Sequence, residues 1–380
     1  MSQQIPLSPI DQFLLTAPWP LQLVFEFPSK LDAKRVEDAF HMTAQRFVGA
    51  TATLSRLDEH SVAFDLSRNA SEIRVTTDGP DIPLHACIDS VVSGFGKPLA
   101  RARIVDRGSL GTAIGFSMSH VLADGYGFFL FLAAWAAQAR GIDFPAPNCN
   151  RTLLSNVDAR ATAKPLPASG PLPQSGYYLV DEGYQPKDFR LEEQLLPLTQ
   201  LQAEKRLAAG PYSIADLIAA RLWKACMQDA ALPSTTLACP VDLRRHREAL
   251  GPLYFGNAFL HATCTLSTSQ LRAASAPELA QLIHAAIAEV PQRIDAAIAE
   301  LEGLWSQRGL AVLSQLMAYP PDSGLLISNM SRVTLDAFDF GTGPATAFDC
   351  VLPATASARI AFVLPAGDNL RLLTTTGNPL

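Results

Sequence analysis

Between Lys164 and Gly176 the chain carries Pro165, Pro167, Pro171 and Pro173, interleaved with Ser169, Gly170, Ser175 and Gly176. Each proline fixes φ and removes a backbone N–H, so the stretch predicts neither helix nor ladder strand. It lies near the middle of a chain of 380 residues. A single hydrophobic core stops growing at roughly 250–300 residues, so a chain of this length is expected to divide. Together these constraints predict two units of similar size: residues 1–163, a crossover over 164–187, and residues 188–380.

Both halves read as mixed α/β. In the first, Leu21 to Phe27 and Thr112 to His120 read as strands. Leu31 to Phe47 and Tyr126 to Ala139 read as helices, the former with Val36, Phe40, Met42 and Phe47 on one side. In the second half Ser213 opens a helix to about Asp229, and Asp216 completes a Ser-x-x-Asp capping box. Thr236 to Leu243, His261 to Leu266, Leu325 to Ser331 and Leu370 to Thr376 read as strands. Glu278 to Leu304 reads as a helix broken at Pro291.

Composition removes several functions. Hydrophobic residues make up 48% and charged residues 17%, which excludes a disordered chain. With Lys plus Arg at 30 against Asp plus Glu at 36, there is no basic surplus to displace counterions from nucleic acid. The cysteines at positions 87, 149, 226, 239, 264 and 350 form no CxxC pair and no His-x-x-x-His tract accompanies them. Reduced, mostly buried thiols are therefore expected, without a metal site or a disulfide framework. Met1 to Pro6 lacks a basic, then apolar leader pattern, and Phe128 to Ala137 is only half a membrane span. The expectation is a cytoplasmic protein without membrane contact.

Chemistry concentrates in Gly115 to Gly127, where the sequence runs GFSMSHVLADGYG. Strand alternation puts Ile114, Phe116, Met118 and His120 on one face, so His120 ends an apolar row. An imidazole there can act as a general base, because apolar neighbours keep it neutral near pH 7. Asp124 has two readings: it orients His120 directly, as in a triad, or it turns away and pairs with an Arg to hold the turn. It can also cap the following helix, with Gly125 taking a backbone angle other residues resist. A structural, satisfied histidine is the competing reading of His120; His120 and Asp124 are four apart and could ligate a metal from a helix, but the segment between them does not read as helical.

These residues resemble a known family. His120 to Gly125, HVLADG, matches the HxxxDG signature of the BAHD acyltransferases, within the superfamily of chloramphenicol acetyltransferase and peptide-synthetase condensation domains. Similarity continues in order: Leu7 to Gln12 (LSPIDQ), the helix ending in Leu222-Trp223-Lys224-Ala225, Val241 to Arg245 with Tyr254-Phe255-Gly256-Asn257, and Asp339 to Pro344 (DFGTGP). The resemblance implies two chloramphenicol-acetyltransferase-like α/β domains, each a mixed sheet flanked by helices, with a channel between them. It implies that His120 deprotonates a hydroxyl or amine as that group attacks an acyl-CoA thioester directly. Acyl-CoA is then a co-substrate, with no bound cofactor, no metal and no Ser or Cys nucleophile; no GxSxG elbow occurs. Asp124 is implied to pair with Arg244, a structural brace that includes Gly125. The resemblance further implies that Ser328, with Asn329 beside it, is the oxyanion donor and that Asp339, Gly341 and Gly343 belong to the donor-side loop.

Three features depart from the pattern. Thr342 stands for the Trp of DFGWG, Met330 for a Trp common after the hydroxyl, and the chain is shorter than typical plant members. Ser119 precedes His120, so the double His of condensation domains is absent. The resulting expectation is a monomeric acyl-CoA-dependent O- or N-acyltransferase of specialised metabolism acting on a small-molecule acceptor. The alternatives are a thioester carried on an acyl carrier protein, or a non-transferase cyclase or binding protein on this fold. Lys187 and Arg332 are candidates to meet CoA phosphates, set against a reading as solvated surface charges.

Overall fold

The computed structural model describes residues 4–376 apart from 18, 68, 161–162, 208–209, 229–230, 353–354 and 357. Its first half runs α1 (Pro9–Phe13), β1 (Leu21–Phe27), α2 (Ala33–Arg46), β2 (Glu72–Thr77), β3 (Ala100–Asp106), β4 (Thr112–Met118) and α3 (Gly125–Ala139). Every residue of β4 is buried, and it pairs antiparallel with β1 and β3. One face of β4 carries Ile114, Phe116 and Met118 into the core shared with α2 and α3. There Phe116 stacks on Phe131 at 5.0 Å and meets Trp135 edge-on at 5.8 Å. The other face must let a loop come close. A Cβ at Gly115 would lie 2.1 Å from the Cys87 carbonyl oxygen, so only glycine admits that approach.

The expected elements are present with ends shifted by a few residues, and Met42 is the exception in burial. It is 52% exposed while Val36 and Phe40 are fully buried. Two positions past Phe40 is about 200° around a helix, which turns Met42 toward solvent.

The proline-rich segment also differs from expectation. Gly170–Pro171 pairs with Tyr178–Leu179, which pairs with Leu316–Met317, in a small three-stranded sheet. Pairing is possible because the proline strand is two residues long and lies at the edge, where no donor from it is needed.

The second half comprises β5 (Phe189–Pro197), α4 (Leu198–Leu207), α5 (Ile214–Met227), β6 (Ser234–Asp242), β7 (Phe259–Ser267), α6 (Thr268–Ala273), α7 (Ala276–Glu289), α8 (Ile294–Arg308), β8 (Gly324–Asn329), β9 (Ala347–Cys350), β10 (Thr355–Ala356), β11 (Ile360–Ala366) and β12 (Asn369–Thr376). Ser213 and Asp216 form the predicted capping box of α5; Asp229, its expected end, lies outside the described residues. The break at Pro291 is a 3₁₀ turn, Val290–Arg293, between α7 and α8. Among the described residues the larger sheet has the order β7–β6–β8–β11–β12–β5–β10, with β6, β8 and β11 parallel.

This sheet has two distinct faces. Leu237, Cys239, Leu325, Ile327, Ala361 and Val363 share a core with Trp223 and Ile283 of α5 and α7. Alternation therefore turns Pro240, Ser328 and Phe362 to the opposite face. That face looks toward the first half, where Trp19 lies 6.4 Å from Phe362. The halves also exchange structure: β9 pairs with β1 in the first sheet, and Trp305 of α8 donates to the Pro9 carbonyl at 3.2 Å. The architecture is the mixed α/β arrangement of helix-flanked sheets that the sequence predicts. No helix among the described residues is long and apolar enough to cross a membrane. The six cysteines are free thiols, Cys87 and Cys239 buried and the rest partly so.

Candidate active site

His120 follows β4 by two residues, in the turn that leads into α3. The turn is fixed by Ser119 N–H donating to Leu99 (2.8 Å) and Leu122 N–H to Ser119 (3.0 Å). The Nδ1 atom of His120 is buried without a hydrogen-bond partner, and the residue's remaining exposure lies away from that nitrogen. Facing the ring is Phe259 of β7 at 6.4 Å, and Phe259 in turn meets His261 at 5.4 Å. The imidazole thus stands where the two halves meet. Burial lowers its pKa; its own carbonyl, the Asp124 charge and the Asn257 amide pull the other way without cancelling the effect. A neutral ring follows at pH 7, as a base requires.

Asp124 does not touch the imidazole. Oδ1 accepts from Gly127 N–H and Arg244 Nη2, and Oδ2 from Arg244 Nη1 and Ala258 N–H, each at 2.9 Å. The carboxylate is saturated, so the brace geometry replaces direct orientation of the ring. Burial opposes its charge, but the Arg244 guanidinium and these N–H donors outweigh it and hold the carboxyl below its usual range. Arg244 sits in the turn after β6 and spends its other donors on Tyr254 O, Asp242 Oδ1 and Gly256 O. Its planar group also stacks over the Tyr126 ring at 4.5 Å.

Gly125 departs from its expected role. Its φ is not positive, it is the first residue of α3, and a Cβ there would meet nothing within 4 Å. The helix cap comes from Asp124 alone, so no special backbone angle is needed.

Three residues without an assigned role complete the turn. Asn257, fully buried, donates Nδ2 to Asp11 Oδ1 (2.8 Å), His120 O (2.9 Å) and Val121 O (3.1 Å). Asp11 is held by Ser8 N–H and Oγ in the capping box of α1. Arg151, 3% exposed, donates to Leu122 O at 2.8 Å and approaches Asp11 at 3.6 Å. Asn257 and Asp11 lie within quoted motifs, but Arg151 opens a short 3₁₀ turn, Arg151–Leu154, that none of those motifs covers. A Cβ on Gly256 would fall 1.5 Å from Arg151 Nη1, which explains the glycine before Asn257.

Ser328 is partly exposed near the end of β8, and Asn329 is exposed. Extending the β6–β8 register by two residues sets Ser328 beside Pro240, which pairs with His261. Ser328 and His261 therefore share the sheet face that Phe259 presents to His120. The Asp339 loop docks elsewhere on the first half. Asp339 Oδ1 accepts from Gly341 N–H (2.7 Å) and Gly343 N–H (3.0 Å), and its other oxygen lies 3.6 Å from Arg140 at the end of α3. Phe340 is fully buried against Trp135 and Phe27. Lys187 pairs with Asp322 at 2.7 Å.

The profile of the Transferase family matches residues 96–371 of this chain. The chain belongs to that family, the BAHD acyltransferases. Hydroxycinnamoyltransferase 2 of Oryza sativa subsp. japonica is 30% identical over 167 residues. That alignment covers 40% of this chain and 38% of the rice protein, so the match spans well under half of the relative's length. Among solved structures, F. graminearum TRI101 complexed with ethyl coenzyme A superposes with a TM-score of 0.76 at 13% identity, over 99% of this chain and 95% of that one. Vinorine synthase gives a TM-score of 0.70 at 17% identity, over 99% and 90% of the two chains. At those identities the superpositions establish the shared fold.

Proposed function

We propose that this BAHD family member transfers an acyl group from acyl-CoA to a hydroxyl or amine of a small molecule, with His120 as general base. The observation that carries the reading is the His120 imidazole: kept neutral by burial, partly exposed, and held between the halves by a latched turn. The similarity to a hydroxycinnamoyltransferase and to an enzyme complexed with ethyl coenzyme A supports this substrate class.

With Nδ1 turned inward, Nε2 is the nitrogen that takes the acceptor's proton. The acceptor oxygen or nitrogen forms its bond to the thioester carbon as the carbonyl electrons move to oxygen. Ser328 is assigned to donate to that oxyanion. Collapse reforms the carbonyl and breaks the C–S bond, and the CoA thiolate takes the proton back from His120. Asp124 and Arg244 hold the turn, and Asp339, Gly341 and Gly343 shape the loop assigned to the donor side. Acyl-CoA is consumed as co-substrate, and the step requires no further group.

The test is to incubate the protein with acetyl-CoA and p-coumaroyl-CoA against a panel of phenols, aliphatic alcohols and amines. Product is followed by mass spectrometry and free CoA by its thiol. Ester or amide in equal amount to CoA is expected, with His120→Ala lowering the rate by about 10²–10⁴-fold. Turnover only with an acyl-loaded carrier protein would overturn the donor assignment, and full activity of a folded His120→Ala would overturn the base.

A further inference from the structure

Where the two halves meet, two buried polar atoms beyond the His120 turn have no hydrogen-bond partner among the described residues: Nδ1 of His261 and the hydroxyl of Tyr177. The two residues are 2% and 1% exposed. Their rings meet edge-on with centroids 5.1 Å apart. Phe13, the last residue of α1, stacks on Tyr177 at 4.2 Å. Phe259 meets His261 at 5.4 Å and His120 at 6.4 Å. A continuous run of rings therefore leads from His120 to the two unpartnered atoms.

The surrounding chain fixes this arrangement. Gly176, just before Tyr177, has φ +80° and lies so near β7 that a Cβ there would stand 2.6 Å from the His261 carbonyl oxygen. Arg293, in the turn between α7 and α8, donates to that same carbonyl and to those of Pro173 and Gln174. Glu300 of α8 accepts from the N–H and the hydroxyl of Ser175, each at 2.7 Å. The proline-rich crossover is thus clamped against β7 where the unpartnered atoms sit. Leaving buried polar groups unpaired costs stability, and such groups in a native protein call for a reason. Neither group is charged at neutral pH, because burial pushes His261 down to about 3 and Tyr177 up. Their complement is a neutral group that both donates and accepts, as a hydroxyl does. We propose that His261 and Tyr177 recognise the far end of the acceptor: a small molecule with an apolar body about one ring long, its reacting group at His120 and a second hydroxyl bonded to His261 Nδ1 and the Tyr177 hydroxyl. The acceptor takes this place, and not the acyl group, because the run of rings begins at the residue that receives the acceptor's proton. The inference rests on the proposed acyl transfer for which group reacts.

Two near-isosteric alcohols test it: 1,4-benzenedimethanol carries the second hydroxyl and 4-methylbenzyl alcohol lacks it. With acetyl-CoA as donor, wild type should favour the diol about tenfold in kcat/KM, beyond what its equivalent hydroxyls give by statistics, as one hydrogen bond allows. Tyr177→Phe and His261→Leu should each shrink that preference to about threefold or less, through the KM of the alcohol and not that of acetyl-CoA. Tyr177→Phe should also keep or raise the urea midpoint, because the hydroxyl it removes has no partner to lose; a drop would give that hydroxyl a structural bond and overturn its role. Unfolding temperatures read binding without turnover. The diol should stabilise wild type more than 4-methylbenzyl alcohol does, and the two should act alike on Tyr177→Phe. No preference for the diol in wild type, or a change confined to the KM of acetyl-CoA, would overturn the inference. Selective stabilisation by the diol without any acetyl transfer would leave the recognition site standing and remove the acyl-transfer reading.

Discussion

Each terminal nitrogen of Arg244 lies 2.9 Å from a different oxygen of Asp124, and this fork joins the cap of α3 in the first half to the turn after β6 in the second. Side-chain exposures of 2% and 9% put the pair out of reach of solvent screening. Removing one partner leaves a buried charge alone, at about 3–5 kcal/mol. Asp124→Asn and Arg244→Met should each lower the urea midpoint by that equivalent and reduce kcat, because the His120 turn hangs from the cap. The double variant Asp124→Leu/Arg244→Met should recover much of the stability and little of the rate. Equal losses of both would mean that the pair does not brace the site.

The pH dependence follows from two histidines that the fold holds uncharged. Burial, then the Arg293 charge, pushes His261 down to about 3, and burial also lowers His120. Below the unfolded value of about 6.5 the unfolded chain binds protons that the native state refuses. Stability is therefore complete above pH 6.5 and declines as pH falls toward the folded values, by up to about 1.4 kcal/mol per pH unit for each such ring. Urea midpoints at pH 7.5 and 5.0 should differ accordingly, and His261→Gln should flatten the difference. The acid limb of kcat/KM, set by His120, should lie below pH 6.5; a limb above it would contradict a buried neutral base.

Ser328 and Asn329 are adjacent on β8, yet alternation separates them. Ser328 lies on the face shared with His261, and Asn329 ends the strand exposed. If the Ser328 hydroxyl donates to the oxyanion, Ser328→Ala should cost about 10²–10³ in kcat with little change in KM. Asn329→Ala should stay within about threefold. Steady-state kinetics with one donor and one acceptor decide this, and similar effects from both variants would remove Ser328 from the reaction.

What could be read in advance is what local chemistry encodes. Alternating apolar residues gave β1 and β4, the Ser213–Asp216 capping box gave α5, and Pro291 gave the break before α8. The Asp124–Arg244 partnership was anticipated through the family resemblance. The latch on His120 was not, since Asn257 and Asp11 are 246 residues apart and Arg151 sits in a short 3₁₀ turn outside the motifs. Nor does anything within Ala347–Cys350 announce that β9 crosses to pair with β1. Such contacts depend on how the halves dock, which no periodicity records.

The Asp339 loop makes a final comparison possible, because two of its glycines have similar backbones in different surroundings. Gly341 has φ +113° and Gly343 φ +104°, so alanine at either adopts a strained conformation. At Gly343 a Cβ would meet nothing within 4 Å, whereas at Gly341 it would lie 2.0 Å from Arg35 Nη2. That nitrogen donates to the Phe340 carbonyl at 3.2 Å, so Gly341→Ala must displace it. Arg35 is an exposed, flexible side chain and can move, which limits the extra cost to about one hydrogen bond, roughly 0.5–1.5 kcal/mol. Gly341→Ala should therefore unfold at lower urea than Gly343→Ala, and the gap should close when both are made in an Arg35→Ala background. A gap that persists without Arg35 would trace the difference to the backbone alone.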